Sequence, residues 1–213
     1  MNRLFLVRHG VTEWNQEGRY QGQLDVSLSA KGRLQAAAVR ERLRDEAFTI
    51  CYSSALQRAR VTAEIILEEH FCHLVQTADL NEMHYGAWEG LLRGEIGERF
   101  PEDWARHHAD PVQYAPTGGE SRLALAHRVR RAIATITREQ QDATVLVVAH
   151  GGTIRAVVGL YLEIPIQEWR KLRMDNASLT IVDAYADGGV LSLFNDTAHL
   201  SPRKAALDRE PAH

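Results

Sequence analysis

Leu4-Phe5-Leu6-Val7-Arg8-His9-Gly10, close to the amino terminus, joins a short apolar run to three residues that can carry chemistry. An apolar run of this length predicts a buried strand, which we place at residues 3–9. In open α/β sheets, ligands bind beyond the carboxyl ends of the strands. A cation, an imidazole and a glycine at this strand end therefore predict that a functional site begins here.

A second stretch, Val145-Leu146-Val147-Val148-Ala149-His150-Gly151-Gly152, repeats the pattern late in the chain. It predicts a buried strand at residues 143–149 that also ends in a histidine. One histidine at a strand end is commonly structural. Two of them, each delivered by a buried strand, predict one site built from both ends of the sequence.

Between these stretches, strand and helix signals alternate, which is typical of α/β proteins. Strands are predicted at residues 3–9, 49–53, 74–77, 143–149, 177–185 and 190–195, and helices at 29–45, 55–69, 120–140 and 152–162. Residues 10–28 are predicted to be loop, and residues 80–120 a cap excursion with one or two short helices. The expected fold is a three-layer α/β sandwich, in which a mostly parallel sheet with one antiparallel strand has helices on both faces.

Two local patterns refine this expectation. Asp187-Gly188-Gly189 between the last two strands predicts a hairpin. The helix at 29–45 is expected to bury one apolar stripe, formed by Leu34, Ala37, Ala38, Val39 and Leu43.

The composition is that of an ordinary globular protein: 213 residues, 45% hydrophobic and 25% charged. We predict a single domain over residues 1–198 and a polar tail over 199–213. The net charge of −3 argues against general nucleic-acid binding. No stretch resembles a signal peptide or a membrane helix, so we expect a cytoplasmic protein without a membrane partner, in which Cys51 and Cys72 are reduced. The sequence leaves a homodimer open.

Five residues at predicted strand ends and helix starts form a set that suits phosphoryl transfer: Arg8, His9, Arg58, Glu82 and His150. Guanidinium groups match phosphate oxygens and stabilise the charge that grows on them. An imidazole can attack phosphorus, and a carboxylic acid can protonate the leaving oxygen. Arg58 is predicted in the first turn of its helix, where a cation is unfavourable unless an anion lies beside it.

The chain resembles the histidine phosphatase superfamily, and within it the branch of cofactor-dependent phosphoglycerate mutases and broad-specificity phosphatases. The resemblance extends over roughly residues 3–195. Four blocks carry it: Arg8-His9-Gly10, Ser53…Arg58-Ala59…Thr62-Ala63, Glu82…Gly86-Ala87-Trp88-Glu89-Gly90, and Ala149-His150-Gly151-Gly152. Asn15 and Arg19-Tyr20-Gln21-Gly22 match that branch too. Four blocks in the same order are far more specific than Arg-His-Gly alone.

The resemblance implies a role for each site residue. His9 would become a phosphohistidine, and Glu82 would be the proton donor. Arg8, Arg58 and His150 would line the phosphate pocket. The remaining substrate contacts would come from Asn15, Gln21, Gly22 and Gly151. No metal and no cofactor are implied, and the expected partner is a phosphorylated small molecule.

Several alternatives remain open at this level. Asn15 and Gln21 could instead serve as loop hydrogen-bonders, and Glu89 competes with Glu82 as the acid. The histidines at positions 70, 73, 84, 107 and 108 have no spacing typical of a metal site. A non-catalytic domain that binds phosphorylated ligands is the third functional class, after phosphatase and mutase.

The choice between phosphatase and mutase rests on the residues around the acid. The mutases carry an arginine directly after it, where this chain has Met83, which cannot bind a carboxylate. We therefore expect a phosphomonoesterase. Trp88, Trp104, His84 and Tyr114 predict a cap that accepts an apolar or aromatic leaving group.

Overall fold

The computed structural model describes residues 1–201 and contains one six-stranded sheet with the order β3-β2-β4-β1-β5-β6. The strands are β1 (Asn2–Arg8), β2 (Ile50–Ser54), β3 (Leu74–Thr77), β4 (Thr144–Ala149), β5 (Leu179–Tyr185) and β6 (Gly188–Asp196). Neighbours pair in parallel except that β5 runs against both β1 and β6. The prediction of one antiparallel strand in a mostly parallel sheet is confirmed.

The helices are α1 (Glu13–Glu17), α2 (Ala30–Leu43), α3 (Gln57–Ile66), α4 (Arg93–Arg99), α5 (Pro101–Ala109), α6 (Arg122–Glu139) and α7 (Gly151–Tyr161). Short 3-10 helices lie at Leu67–Glu69, Ala78–Leu80, Gly86–Trp88, Ile166–Lys171 and Ala198–Leu200. No helix among residues 1–201 is both long enough and apolar enough to cross a membrane.

The two central strands, β1 and β4, each contain an uninterrupted apolar run, Leu4 to Val7 and Val145 to Ala149, because both faces of the sheet are covered. Successive strand side chains point to opposite faces. Leu4 and Leu6 of β1 therefore pack in the core that contains residues of α6 and α7. Phe5 and Val7 pack in the second core, with residues of α2 and α3. A continuous apolar run is the expected signature of such a doubly covered strand.

Helix α2 buries Val39 and Leu43 of the predicted stripe, half-buries Ala37 and Ala38, and exposes Leu34. Leu34 is 72% exposed, and the buried positions are Gly32, Ala36, Val39 and Leu43. The reason is a close approach of backbones: a Cβ on Gly10 would lie 2.3 Å from the Gly32 carbonyl oxygen. This approach turns the Gly32 face toward β1, so Leu34 faces solvent.

Smaller departures from the prediction occur at loops. The segment 10–28 contains α1, whose first turn is closed by a reciprocal capping box between Thr12 and Asn15. The hairpin after β5 turns at Ala186-Asp187, so β6 begins at Gly188 rather than at residue 190. The predicted tail begins inside the Ala198–Leu200 helix, and residues 202–213 lie outside the described residues.

Residues 80–120 leave the sheet, and two α-helices, α4 and α5, lie within them. This segment pairs with the loop that follows β1. The backbone N–H of Tyr20 donates to Leu91, and that of Gly90 donates to Tyr20. The segment therefore stands beside the carboxyl ends of β1 and β4. Cys51 and Cys72 are free thiols.

Candidate active site

The sheet itself brings the two histidines together. Arg8 of β1 is in register with Ala149 of β4, and the His9 backbone N–H donates to the Ala149 oxygen at 3.0 Å. His9, which follows β1, and His150, which follows β4, are therefore neighbours. The ring centroids of His9 and His150 are 5.1 Å apart, and both side chains are buried.

Hydrogen bonding assigns the tautomer of His9. Its Nδ1 lies 2.7 Å from the carbonyl oxygen of Gly10. A carbonyl oxygen can only accept, so Nδ1 carries the proton. The neutral ring then has its lone pair on Nε2, the nitrogen that is available to a ligand.

The proton on His150 is assigned by a chain of three side chains. The Ser54 hydroxyl donates to Asn81 Oδ1 at 2.8 Å, and Asn81 Oδ1 also accepts from the Ala55 backbone N–H. Ser54 has one proton to give, so its 2.8 Å contact with His150 Nε2 is a bond that the histidine donates. The buried Nδ1 of His150 has no hydrogen-bond partner among residues 1–201.

Two arginines lie near the histidines, of which Arg58 is buried and Arg8 is half-buried. Arg58 donates to the carbonyl oxygens of Gly22 and Leu24, at 2.7 and 2.8 Å. Arg8 donates to the carbonyl oxygen of Met174 at 2.5 Å. Neither arginine forms an ion pair in the described part of the chain, and each keeps a buried Nε without a hydrogen-bond partner. Buried charges of this kind are unfavourable without a counterion.

Burial and positive charge act together on the titration of the histidines. Burial lowers the pKa of His9 well below its ordinary value of 6.5, and Arg58 and Arg8 lower it further. The pKa of His150 is lowered in the same direction, by burial first and then by Arg58. Burial also lowers the pKa of Arg58 to about 10. At neutral pH the histidines are therefore uncharged and the arginines charged.

The Glu82 carboxylate is held at the start of α7. Its two oxygens accept from the backbone N–H of Gly152 at 3.1 Å and of Met83 at 2.9 Å. A negative group at a helix N-terminus is stabilised by the helix dipole. A Cβ on Gly152 would lie 2.3 Å from Glu82 Oε1, so glycine is required for this approach.

Arg128 of α6 fixes the backbone that carries the acid. It donates to the carbonyl oxygens of Asp79 and Asn81 at 2.9 Å and of Glu82 at 3.2 Å, and it pairs with Glu120. The sequence does not predict this role of Arg128. An arginine on an amphipathic helix has no neighbouring sequence pattern that shows which other segment its side chain will contact.

The other predicted contact residues lie around the same pocket, which has a volume of about 360 Å³. Of the predicted site residues, Arg8, His9, Asn15, Gln21, Gly22, Arg58, Glu82 and Gly151 line it, together with Tyr20, Tyr85 and Arg155. His150 lies behind this wall. Asn15 also caps α1, and its Oδ1 accepts from Asn176 at 3.1 Å, so its amide nitrogen is left for the pocket.

Side-chain positions bear on two alternatives that the sequence leaves open. Glu89 does not line the pocket, and its Oε1 accepts from the backbone N–H groups of Gln23 and Tyr85. Met83 is 3% exposed and packs in the core, so its side chain is not part of the pocket wall. The identity of that residue therefore does not discriminate a phosphatase from a mutase here.

Chemically, the pocket combines a nucleophile, an anion cradle and an acid. His9 Nε2 is unprotonated, the two arginines offer unused donors, and the Glu82 carboxylate lines the same pocket. No group of three or more His, Cys, Asp or Glu side chains in residues 1–201 is placed to hold a metal ion. The arrangement can bind a phosphoryl group and transfer it to an imidazole.

Comparison with known proteins finds chains that are similar to this one over most of their length. Phosphoserine phosphatase 1 of Hydrogenobacter thermophilus is 34% identical over 200 residues, covering 94% of this chain and 95% of the relative. The probable phosphoglycerate mutase GpmB of Salmonella choleraesuis is 36% identical over 206 residues, covering 94% and 95%.

A solved mycobacterial glucosyl-3-phosphoglycerate phosphatase is similar in structure, with a TM-score of 0.83 and 34% identity. That likeness covers 92% of this chain and 100% of the solved one. The model of the histidine phosphatase superfamily (branch 1) matches residues 4–197. With this match over nearly the whole described chain, the protein belongs to the histidine phosphatase superfamily.

Proposed function

We propose that the protein is a phosphomonoesterase that hydrolyses small phosphorylated metabolites through a phosphohistidine on His9. One observation carries the proposal: the unprotonated Nε2 of a buried histidine lies in one pocket with the buried Arg58 and the half-buried Arg8, neither of which forms an ion pair among residues 1–201. Unsatisfied buried donors are rare in folded proteins and call for a partner. A phosphate dianion would satisfy both guanidinium groups and place phosphorus next to His9.

In the first step, His9 Nε2 attacks phosphorus and the bond from phosphorus to the ester oxygen breaks. The proton for the departing oxygen comes from Glu82, entering as the carboxylic acid, so the leaving group departs as an alcohol. Arg8 and Arg58 stabilise the negative charge on the equatorial oxygens. The Nδ1–H of His9, bound to Gly10, keeps the attacking nitrogen aimed at the pocket.

In the second step, the Glu82 carboxylate removes a proton from water as the water oxygen attacks phosphorus. The bond from phosphorus to His9 Nε2 breaks, phosphate is released, and the acid form of Glu82 is restored. The Nε2 proton of His150 is committed to Ser54, so its Nδ1 is a buried acceptor, and a phosphate hydroxyl at this position would donate a hydrogen bond to it. Asn15, Gln21, Gly22 and Gly151 contribute further donors to the ester or the leaving group.

A phosphoglycerate mutase is the second candidate, favoured by the likeness to GpmB. Both candidates share the phosphohistidine and differ in what accepts the phosphoryl group. The test is turnover of p-nitrophenyl phosphate, and of 3-phosphoglycerate with and without its 2,3-bisphosphate. We expect phosphate release in each case. Isomerisation of 3-phosphoglycerate that requires the bisphosphate would identify a mutase instead of a phosphatase. No turnover of any substrate would favour a non-catalytic domain that binds phosphorylated ligands.

The remaining expectations stay predictions. These are a cytoplasmic location, one domain over residues 1–198, the lack of a nucleic-acid partner or cofactor, and a homodimer as an open alternative.

A further inference from the structure

A second cavity adjoins the phosphate pocket. Its volume is about 540 Å³, and it is lined by Tyr20, Arg93, Trp104, His107, His108, Pro111, Arg122 and Arg170. Tyr20 belongs to the walls of both spaces, so they are direct neighbours. A substrate whose phosphate lies at His9 would therefore have this second cavity next to its binding site.

The cavity is basic, which differs from the expectation of an apolar cap. Trp88 is fully buried, and Trp104 lies in the cavity with the Arg93 guanidinium 5.4 Å from its ring. No carboxylate pairs with Arg93, Arg122 or Arg170 within the described range 1–201, whereas Arg19, Arg40, Arg60 and seven other arginines pair with acids. The three positive charges thus converge on one space without a counterion.

Arg122 lies in the least favourable environment of the three arginines. Its Nη1 is buried and has no hydrogen-bond partner among residues 1–201. Burial lowers the pKa of Arg122, and the neighbouring charges of Arg170 and Arg155 lower it further. Like charges that repel in a half-buried space are stabilised when an anion binds between them.

Positive charge continues from this cavity to the phosphate pocket. Arg155 lines the phosphate pocket, and its charge reaches both Arg8 and Arg122. The rings of Tyr20 and Tyr85, 5.0 Å apart, lie on this path. Positive charge is therefore available at both ends of a ligand that carries two anionic groups. A neutral leaving group gains no electrostatic attraction from the second cavity.

We propose that the cavity formed by Arg93, Arg122 and Arg170 binds a second anionic group on the leaving group of the substrate, a carboxylate or a further phosphate. This inference rests on the proposed function, because it requires the ester phosphate to lie at His9. It narrows the substrates to phosphomonoesters that carry another negative charge.

The test compares matched substrates that differ only in that charge. Phosphoserine against phosphoethanolamine tests a carboxylate, and fructose 1,6-bisphosphate against fructose 6-phosphate tests a second phosphate. The quantity measured is the ratio of kcat/KM within each pair. We expect at least one pair to favour the more anionic substrate about tenfold or more, the range of a charged hydrogen bond.

Arg122→Gln and Arg170→Gln should each reduce that ratio severalfold toward one. Arg170 is exposed, so its variant tests the proposal even if Arg122→Gln fails to fold. Arg130→Gln is the matched control, because Arg130 is exposed on the same helix and lines neither space; its ratio should equal that of the wild type. Ratios near one for both pairs, or ratios unchanged in both variants, would overturn the proposal. Failure to hydrolyse every one of these esters, p-nitrophenyl phosphate included, would instead refute the proposed function itself.

Discussion

Replacing Arg128 tests whether the acid is held by α6. Arg128→Met keeps the length of the side chain and removes its charge and donors. The wild-type guanidinium bonds three backbone carbonyls between Asp79 and Glu82 and pairs with Glu120. The side chains of Arg128 and Glu120 are only 13% and 17% exposed, so solvent screens their interaction weakly.

The expected loss follows from these contacts. Breaking a fully buried ion pair costs about 3–5 kcal/mol, and the residual exposure reduces this to about 2–4 kcal/mol. For a chain of this size the melting temperature should fall by about 5–15 °C. Because the Glu82 backbone is also released, turnover of an alkyl phosphate should fall more than turnover of p-nitrophenyl phosphate, which needs less acid assistance.

The assay is urea and thermal unfolding, followed by kinetics on both substrates at a temperature where the variant is folded. Arg130→Met, two residues along the same helix and exposed, is the control and should match the wild type. A melting temperature for Arg128→Met within about 2 °C of the wild type would show that these contacts of Arg128 do not stabilise the fold. An equal loss of turnover on both substrates would show that Arg128 does not position Glu82.

The other predictions concern the acid, the histidines and metal. Glu82→Gln should slow an alkyl phosphate by about 10²–10⁴-fold and p-nitrophenyl phosphate much less, and equal losses would assign Glu82 another role. The pKa values of His9 and His150 lie below 6.5 in the folded state, so below pH 6.5 the unfolded chain binds more protons than the folded protein does. The free energy of unfolding therefore decreases as the pH is lowered. Each histidine contributes up to about 1.4 kcal/mol per pH unit to this decrease. Urea titrations in phosphate-free buffer should show that the free energy of unfolding depends less steeply on pH for His150→Asn than for the wild type. Turnover should persist in excess EDTA; loss that a divalent ion restores would contradict an arginine-based site.

The sequence predicts that His9 and His150 meet because the signals for this meeting are local. Each apolar run ends directly in a histidine, and parallel strands place their carboxyl ends side by side, so His9 and His150 had to meet once β1 and β4 were neighbours. The Leu34 error has a different origin. Periodicity locates a helix, but the approach of Gly10 and Gly32 decides which face is buried.

Residues that act at a distance could not be predicted in this way. Arg58 was placed correctly at the start of α3, yet its bonds to Gly22 and Leu24 depend on the path of a loop more than thirty residues away. Arg122 and Arg128 lie on one helix and serve different spaces, which only the packing of α6 determines. Met83 shows the reverse case, since a position that looked informative in the sequence points into the core.

The central claim is that His9 carries the phosphoryl group, and trapping the phosphoenzyme tests it most directly. Wild-type protein is mixed with labelled substrate, quenched within milliseconds, and divided between acid and base. A phosphoramidate is acid-labile and base-stable, so the label should survive base and be lost in acid. His9→Ala should fold and retain no label, while His127→Ala, an exposed histidine on α6, should be labelled like the wild type. An acid-stable label, or labelled His9→Ala, would contradict the account.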